Sequence, residues 1–524
     1  MTWKEYLKAL LTSNLIWFVW ATVVLISQSR HPFWNPDVIG PMSPSQAFNT
    51  AVSFMTNTNL QHYSGETGAS YLSQMIVFTF LQFVSAATGI AVLATLFRAL
   101  TYKHDFSGDP SGAPATNQPV CFGNFYSDLF KISTRSLLPL SIVVALILLF
   151  NGTPATFKGA EKLVTLEGDT VSVSRGITAP MVAIKQLGTN GGGYFGPNSA
   201  HPFENPNFLT NIVESVSILL IPIASIFAFG AFTNRKKLAR IFFAVMTAGF
   251  IALLVPTVAS EMSGNPMIAK LGVAQPLGSM EGKEVRFGAA ASAYWGIITT
   301  VTSNGSVNAM HDSFTAISGA FLMLGMQLNA LYGGVGVGFI NFFVFVVIAM
   351  FISGLMVGRT PEFLGKKIEA KEMKLAVIVA LLHPFLILGG TAIASSIFTT
   401  QGGNETLKWL NNPSFHGFSE MLYEFTSASA NNGSGFEGLG DNTDFWNVST
   451  GIIMLMGRFI PIILPVAIGA SIAAKRLVPD SAGTLKSDSI MFGVMVFSVI
   501  VIVGALLFFP ALALGPIAEH FQFR

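Results

Sequence analysis

Charge is scarce in this sequence. Of its 524 residues, 11% are Asp, Glu, Lys or Arg, where a soluble protein carries about 25%. Hydrophobic residues make up 51% and the mean hydropathy is +0.58, so most of the surface must face something other than water. Several apolar stretches reach the ~20 residues that cross a hydrocarbon core. Cysteine is nearly absent: Cys121 alone excludes a disulfide framework and a cysteine metal cluster. Nucleotide chemistry is missing too, with no G-x-x-x-x-G-K-[S/T] loop and no Asp-Lys-Thr-Gly phosphorylation motif. A net charge of +2 gives no reason to expect a nucleic-acid partner. The partner that composition demands is the lipid bilayer.

Hydropathy predicts nine spans, near 10–28, 71–99, 133–151, 210–232, 238–258, 315–357 (broken in the middle), 374–398, 447–473 and 489–510. The first follows Lys4 and Lys8 like a signal peptide, but no small-residue cleavage site follows it. Lys and Arg crowd one set of span ends: Lys4 and Lys8; Arg98, Lys103, Lys131 and Arg135; Arg235, Lys236, Lys237 and Arg240; Arg359 to Lys374; Lys475, Arg476 and Lys486. The positive-inside rule makes that side the inner one, with the N-terminus inside and the C-terminus outside. No inner segment is long enough for a nucleotide domain.

The four long outer segments each end in an apolar stretch too short to span, at 47–55, 180–187, 289–301 and 418–425, followed by a polar Gly/Asn run. Irregular backbone survives at membrane depth only when buried in protein or lining a watery cavity, so these read as re-entrant half-helices with pore loops. The loops repeat: Thr56-Asn57-Thr58-Asn59, Thr189-Asn190-Gly191-Gly192, Ser303-Asn304-Gly305-Ser306 and Asn431-Asn432-Gly433-Ser434. Aligned on the second-position Asn, they place Gly191, Gly305 and Gly433 in register with Thr58. The chain divides into repeats at 1–100 (loop 44–61), 131–234 (loop 180–194), 237–358 (loop 289–306) and 372–475 (loop 418–435), with an extra span and tail over 488–524. The fold class expected is all-α and polytopic, with four helix–pore-loop–helix repeats around one potassium-channel-like pore.

Rings of backbone carbonyls replace the hydration shell of K⁺, and glycine reaches the backbone angles this needs without steric cost. The half-helices should aim their negative C-terminal ends at the ion path. No loop core contains Asp or Glu, so a carboxylate ring is not the design. The bland alternative is four surface turns, two of which, Asn304-Gly-Ser and Asn432-Gly-Ser, match glycosylation acceptors.

The segments Thr56-Asn-Thr-Asn-Leu-Gln61, Gln186-Leu-Gly-Thr-Asn-Gly-Gly-Gly-Tyr-Phe-Gly-Pro-Asn-Ser-Ala-His-Pro-Phe-Glu-Asn-Pro206, Ser303-Asn-Gly-Ser-Val-Asn-Ala-Met-His-Asp-Ser313 and Gly354-Leu-Met-Val-Gly-Arg-Thr-Pro-Glu-Phe-Leu-Gly-Lys-Lys367 resemble the potassium-binding, channel-like A subunit of bacterial Kdp potassium-transporting ATPases. The family usually has one more N-terminal span than the nine read here. The resemblance implies a non-catalytic subunit in the bacterial cytoplasmic membrane. It would capture external K⁺, the only ion implied, and pass it through an intramembrane tunnel. The recipient would be a P-type ATPase subunit, accompanied by a single-span accessory subunit and a small peptide subunit.

Several further residues stand out. Gly333, Gly334, Gly336 and Gly338 should break the sixth span, each costing ~1 kcal/mol relative to Ala; close helix packing through small residues is the alternative. The reading preferred is a loop below the filter that gates or diverts the ion, as the family suggests. Arg458 falls inside a span, where charge costs about 2.5–3.5 kcal/mol. It is expected to line a vestibule below the filter, or to snorkel. Gln61 follows the first loop, and resemblance favours an influence on K⁺ affinity. Arg359 is an inner-end residue with a possible contact to the ATPase subunit. His62, His201 and His311 are read as polar supports of the outer mouth, since nothing gives them metal-ligand spacing. The rival readings are a stand-alone, gradient-driven potassium channel or transporter of the same architecture, and a broken-helix transporter of organic substrates.

Overall fold

The computed structural model describes residues 1–102, 120–358, 361–477 and 487–522. Arg359, Lys103 and Lys486 lie outside the described residues. Nine helices among the described residues are long and apolar enough to cross a membrane. They extend the hydropathy estimate at most ends, because capping residues rather than apolar content set where a helix starts. The first, α1, spans Trp3–Ser27: Thr2 and Glu5 form a reciprocal capping box that draws the charged turn into the helix. The last begins at Ile490 and runs on through a π turn to Gln522, well past residue 510.

Between long helices lie four short buried ones. α2 is Pro44–Met55, started by the Ser43 hydroxyl and a proline at its first position. It leads to α3, Phe80–Thr101, entered through a π turn at Ser73–Thr79. The second unit has α4 (Phe125–Ile132) running into α5 (Leu138–Phe150), then the short α6, Thr178–Leu187, and α7, Phe208–Phe232. The third has α8 (Lys236–Met262), the short α9 (Gly288–Val301), and a sixth span in two pieces, α10 (Ala316–Leu328) and α11 (Val337–Val357). The fourth has α12 (Ala370–Thr400), the short α13 (Phe415–Ala430) and α14 (Asp444–Ala473), after which α15 (Ile490–Leu512) closes the order. The predicted half-helices are therefore present, and longest at α13.

The centre of the molecule is recognisable from burial. In the most apolar window of α11, 67% of residues are buried, against 22% in the α4–α5 segment, so α11 is an inner helix and α5 faces lipid. One feature has no counterpart in the sequence reading, an antiparallel hairpin β1 (Glu161–Val164) with β2 (Thr170–Val173), pairing Lys162 with Ser172. Its residues are almost all exposed, so no buried face imprinted a pattern on it.

Candidate functional site

Each half-helix ends by the same device. An amide just past the helix end reaches back five residues: Thr58 to Ser53, Asn190 to Lys185, Asn304 to Thr299 and Asn432 to Ser427, all at 2.9–3.0 Å. The residue before it has positive φ in all four (Asn57 66°, Thr189 44°, Ser303 50°, Asn431 52°), and so does the residue after it (Asn59 57°, Gly191 96°, Gly305 84°, Gly433 103°). This common backbone corrects the register in the first loop. Asn59, not Thr58, occupies the glycine position, Thr58 matches the Asn of the other loops, and Leu60 stands in the fourth place. Asparagine substitutes there because, after glycine, it tolerates the left-handed region best. Its β-carbon finds room beside Gly192, where an added Cβ would come within 2.8 Å of it.

The loops close a ring. A Cβ on Gly191 would stand 1.9 Å from the carbonyl oxygen of Asn304, one on Gly305 2.1 Å from that of Asn432, and one on Gly433 2.0 Å from that of Thr58. The circuit closes where the Asn57 amide donates to the carbonyls of Thr189 (2.8 Å) and Gly188 (3.1 Å), and Asn59 Nδ2 to Asn190 Oδ1 (3.2 Å). The loop asparagines turn their side chains into the wall. Asn432 Nδ2 donates to Thr299 O at 2.8 Å and Asn304 Nδ2 to Lys185 O at 3.4 Å. Both are fully buried, which excludes the glycosylation-turn reading.

Behind the second and third loops sits a buried network that sequence reasoning missed. Lys185 Nζ donates to Asn198 Oδ1 (2.8 Å), Ser199 Oγ (2.7 Å) and the Glu204 carboxylate, and both members of the Lys185–Glu204 pair are fully buried. Asn198 Nδ2 donates to the carbonyl of Gly191 at 2.5 Å, and Gln186 Nε2 to Ser306 Oγ (3.0 Å) and Glu214 (2.7 Å). The signal was a lysine inside an apolar half-helix, since charge at membrane depth needs a partner.

Behind the first and fourth loops, His62 holds Asn447 Oδ1 at 2.7 Å and Glu424 at 3.2 Å. Burial pulls its pKa down, but nearby Asp441 and the hydrogen-bonded Glu424 outweigh that and raise it to about 9. His311 meets the Tyr423 hydroxyl at 2.9 Å, and His201 stacks on Phe195. Two His–carboxylate groups, His62–Glu424–Asp441 and Asp312–His416–Glu420, have the proximity of metal ligands. Their imidazole nitrogens are engaged by carboxylates and amides, so ion pairing accounts for them. Gln61 ends the first loop with its Nε2 buried and unpaired.

Beneath the ring, the sixth span is broken as expected from its glycines. Asn329, Tyr332, Gly333 and Gly336 all have positive φ. The break is tied to the loops from below: Gly333 N donates to Val301 O and Val335 N to Thr189 Oγ1, at 2.8 and 2.9 Å. A small polar cavity lies at this level, lined by Asn57, Ser303, Asn431, Gly334, Gly338 and Arg458. Arg458 is 5% exposed and donates to Ser85 O at 3.3 Å, so it does not snorkel. Residues from all four units thus converge on one axis, while Arg359 lies outside the described residues.

The family described as the potassium-transporting ATPase A subunit matches residues 1–521. A protein of Flavobacterium johnsoniae named potassium-transporting ATPase potassium-binding subunit is 57% identical over 532 residues, covering 100% of this chain and 90% of its own length. Proteins of the same name from Bacteroides thetaiotaomicron (56%, covering 99% and 89%) and Geobacillus kaustophilus (48%, covering 100% and 90%) are similar as well. Among solved structures, the potassium transporter TrkH of Vibrio parahaemolyticus shares the fold, with a TM-score of 0.52, 16% identity, and coverage of 87% of this chain and 84% of that one. On the match across residues 1–521 and these identities, the chain belongs to the potassium-transporting ATPase A subunit family.

Proposed function

We propose that this chain is the potassium-binding subunit of an ATP-driven uptake system, and that the four loops are its selectivity filter. The observation that carries the reading is the closed ring of four loops, stitched through their walls and free of Asp and Glu. Four sets of backbone oxygens replace the hydration of a monovalent cation, and the half-helices bring their negative ends to the same place. The filter comprises Asn57–Leu60 with Thr56 at its base, Thr189–Gly192, Ser303–Ser306 and Asn431–Ser434, and Gln61 tunes the outer end.

The loop face is external, as the Lys and Arg at the opposite span ends favour, which also puts the C-terminus outside the cytoplasmic membrane. Below the filter, the guanidinium of Arg458 and the glycine break oppose straight passage to the cytoplasm. The ion leaves sideways to a P-type ATPase subunit, with a single-span subunit and a small peptide subunit completing the complex and Arg359 contributing to the contact. The names of the relatives support an ATPase partner.

The fold shared with a potassium transporter keeps one other reading open, a stand-alone channel or transporter. Affinity purification from the native membrane tests both. Co-isolation of a P-type ATPase subunit, with K⁺ uptake that needs ATP, is the expected result. Full transport by the chain alone in liposomes would replace it with the stand-alone reading.

A further inference from the structure

The last span stands outside the four repeats, yet its far end reaches the loops. Beyond α15 the chain passes through the π turn Ala513–Ile517 into a final helical turn, Ala518–Gln522. The π turn rests directly on α13, where a Cβ on Gly515 would stand 2.7 Å from Ser419 Oγ. That contact seats Glu519, which is buried, beside the first turn of α13. His416 Nδ1 donates to Glu519 Oε1 and His416 Nε2 to Asp312 Oδ1, both at 2.9 Å. Ionised carboxylates only accept, so both ring nitrogens carry hydrogen and His416 is an imidazolium. Burial opposes that charge, but the two hydrogen-bonded carboxylates outweigh it and raise the pKa to about 10. One cation thus joins three elements: the segment after the third loop, the half-helix of the fourth, and the last turn.

Two branches run from His416 to the loops. In one, the His416 ring stacks on Phe436 (centroids 5.7 Å apart, planes at 9°), and Phe436 stacks on Tyr423 (4.2 Å, 23°). The Tyr423 hydroxyl lies 2.8 Å from Ser434 Oγ, which lies 2.6 Å from Asn432 Oδ1. In the other branch, Asp312 N donates to Glu437 Oε2 at 3.0 Å, and its neighbour His311 meets the Tyr423 hydroxyl through Nδ1 at 2.9 Å. An amide oxygen only accepts, so Ser434 donates to Asn432, Tyr423 to Ser434 and His311 to Tyr423. This one-way chain of hydrogen bonds ends inside the fourth loop. The branches meet again at Tyr423, so the segments leaving the third and fourth loops are held to each other. Phe436 and Tyr423 are both buried, and a close-packed interior transmits a displacement rather than absorbing it.

We propose that Glu519 is a positioning residue for the third and fourth filter loops, acting through His416 on Asp312 and on the Phe436–Tyr423 stack. It touches no ion; it fixes where the carbonyls of those two loops stand. The proposal rests on the filter reading, since the ring is what the clamp holds. Selection among monovalent cations depends on the number and placement of the carbonyls. Loosening two of four loops therefore changes ion preference as well as affinity, without slowing the later steps of transport.

The test is ATP-driven uptake of K⁺ and Rb⁺ by the whole purified complex in liposomes, with Glu519→Leu, Glu519→Gln, Phe436→Leu and Gly305→Ala compared with the parent. Glu519→Leu leaves His416 paired with Asp312 but frees it from the last turn. Losing one charged hydrogen bond from the support should raise the half-saturating K⁺ concentration about tenfold. The ratio of Rb⁺ to K⁺ half-saturation should shift by about threefold or more, with maximal uptake per complex within about twofold. Glu519→Gln keeps an oxygen for His416 Nδ1 and should restore both values; a Gln variant as impaired as Leu would overturn positioning in favour of charge alone. A Glu519→Leu complex that melts earlier but keeps the parental half-saturation and ion ratio would reduce the clamp to a structural brace and overturn the proposal. Should Glu519→Leu fail to assemble, Phe436→Leu decides, because it cuts the stack and spares the ion pairs: the same ion-specific change is expected, and parental values overturn the clamp. If Gly305→Ala leaves half-saturation unchanged, the filter reading itself fails. If it raises half-saturation while the Glu519 and Phe436 variants match the parent, only the positioning role falls.

Discussion

Gly305 is one of three places where a single added atom would strike the backbone of the next loop. A methyl group there would lie 2.1 Å from the oxygen and 2.9 Å from the carbon of the Asn432 carbonyl, where non-bonded atoms settle at about 3.5–4.0 Å. The obstacle is backbone of the neighbouring loop, so no side chain can swing aside and the ring must open by roughly 1.5 Å. The φ of 84° adds about 1–2 kcal/mol for any L side chain, and overpacking of this kind costs about 1–3 kcal/mol. Directed at the geometry of the ion site, about 3 kcal/mol corresponds to a loss of about a hundredfold in affinity. In K⁺-starved cells without other uptake systems, Gly305→Ala should raise the half-saturating K⁺ concentration by about that factor. Gly40→Ala, where an added Cβ meets nothing within 4 Å, should stay within twofold. A Gly305→Ala protein present in the membrane at normal abundance, with unchanged half-saturation, would refute the ring as the ion site.

Three further outcomes are expected. Lys185→Met leaves Glu204 as an uncompensated buried charge and should destabilise the protein by about 3–5 kcal/mol; adding Glu204→Gln should recover much of the loss in a thermal melt. His62 has a folded-state pKa raised to about 9 over an unfolded value of about 6.5. Its contribution, on the order of 3 kcal/mol, is therefore complete below pH 6.5 and lost as the pH rises through 9. His62→Gln should melt at a temperature that varies less across that window than the parent, and equal slopes would refute the ion-pair account. Arg458→Ala removes the cation below the ring and should open a passive K⁺ leak in vesicles without ATP; a seal as tight as the parent's would dismiss the barrier.

How much of this was legible in the residues depended on the physical signal each feature leaves. The half-helices announced themselves because an apolar stretch too short to span, followed by Asn and Gly, has few other uses in a membrane. The break in the sixth span was equally plain, since Gly333, Gly334, Gly336 and Gly338 give a helix neither propensity nor a packing side chain. The buried Phe339 marks where α11 takes up its packing again. The register of the first loop was not legible. Asn-Thr-Asn offers two alignments, and matching by identity selects Asn57, whereas the backbone is aligned by the bond from Thr58 N to Ser53 O. The Lys185 and His62 networks were hidden for a different reason: their partners, Glu204 and Asn447, lie 19 and 385 residues away, and only folding brings them together.

That asymmetry between the loops follows from building the ring out of one chain. Four identical subunits must give every loop the same support, so a residue that suits one position must suit all four. Here the loop of the second unit is gripped by Asn198 and a buried ammonium group, and the fourth unit's half-helix is tied to the end of the first loop by His62. The first loop does without its glycine because Gly192 next door makes room for Asn59. Each quarter is thus free to bear a different task, and the third carries the broken span that lies under the ring. A ring assembled from unlike quarters has distinguishable sides: beneath it the guanidinium of Arg458 stands on one of them, held to the Ser85 carbonyl.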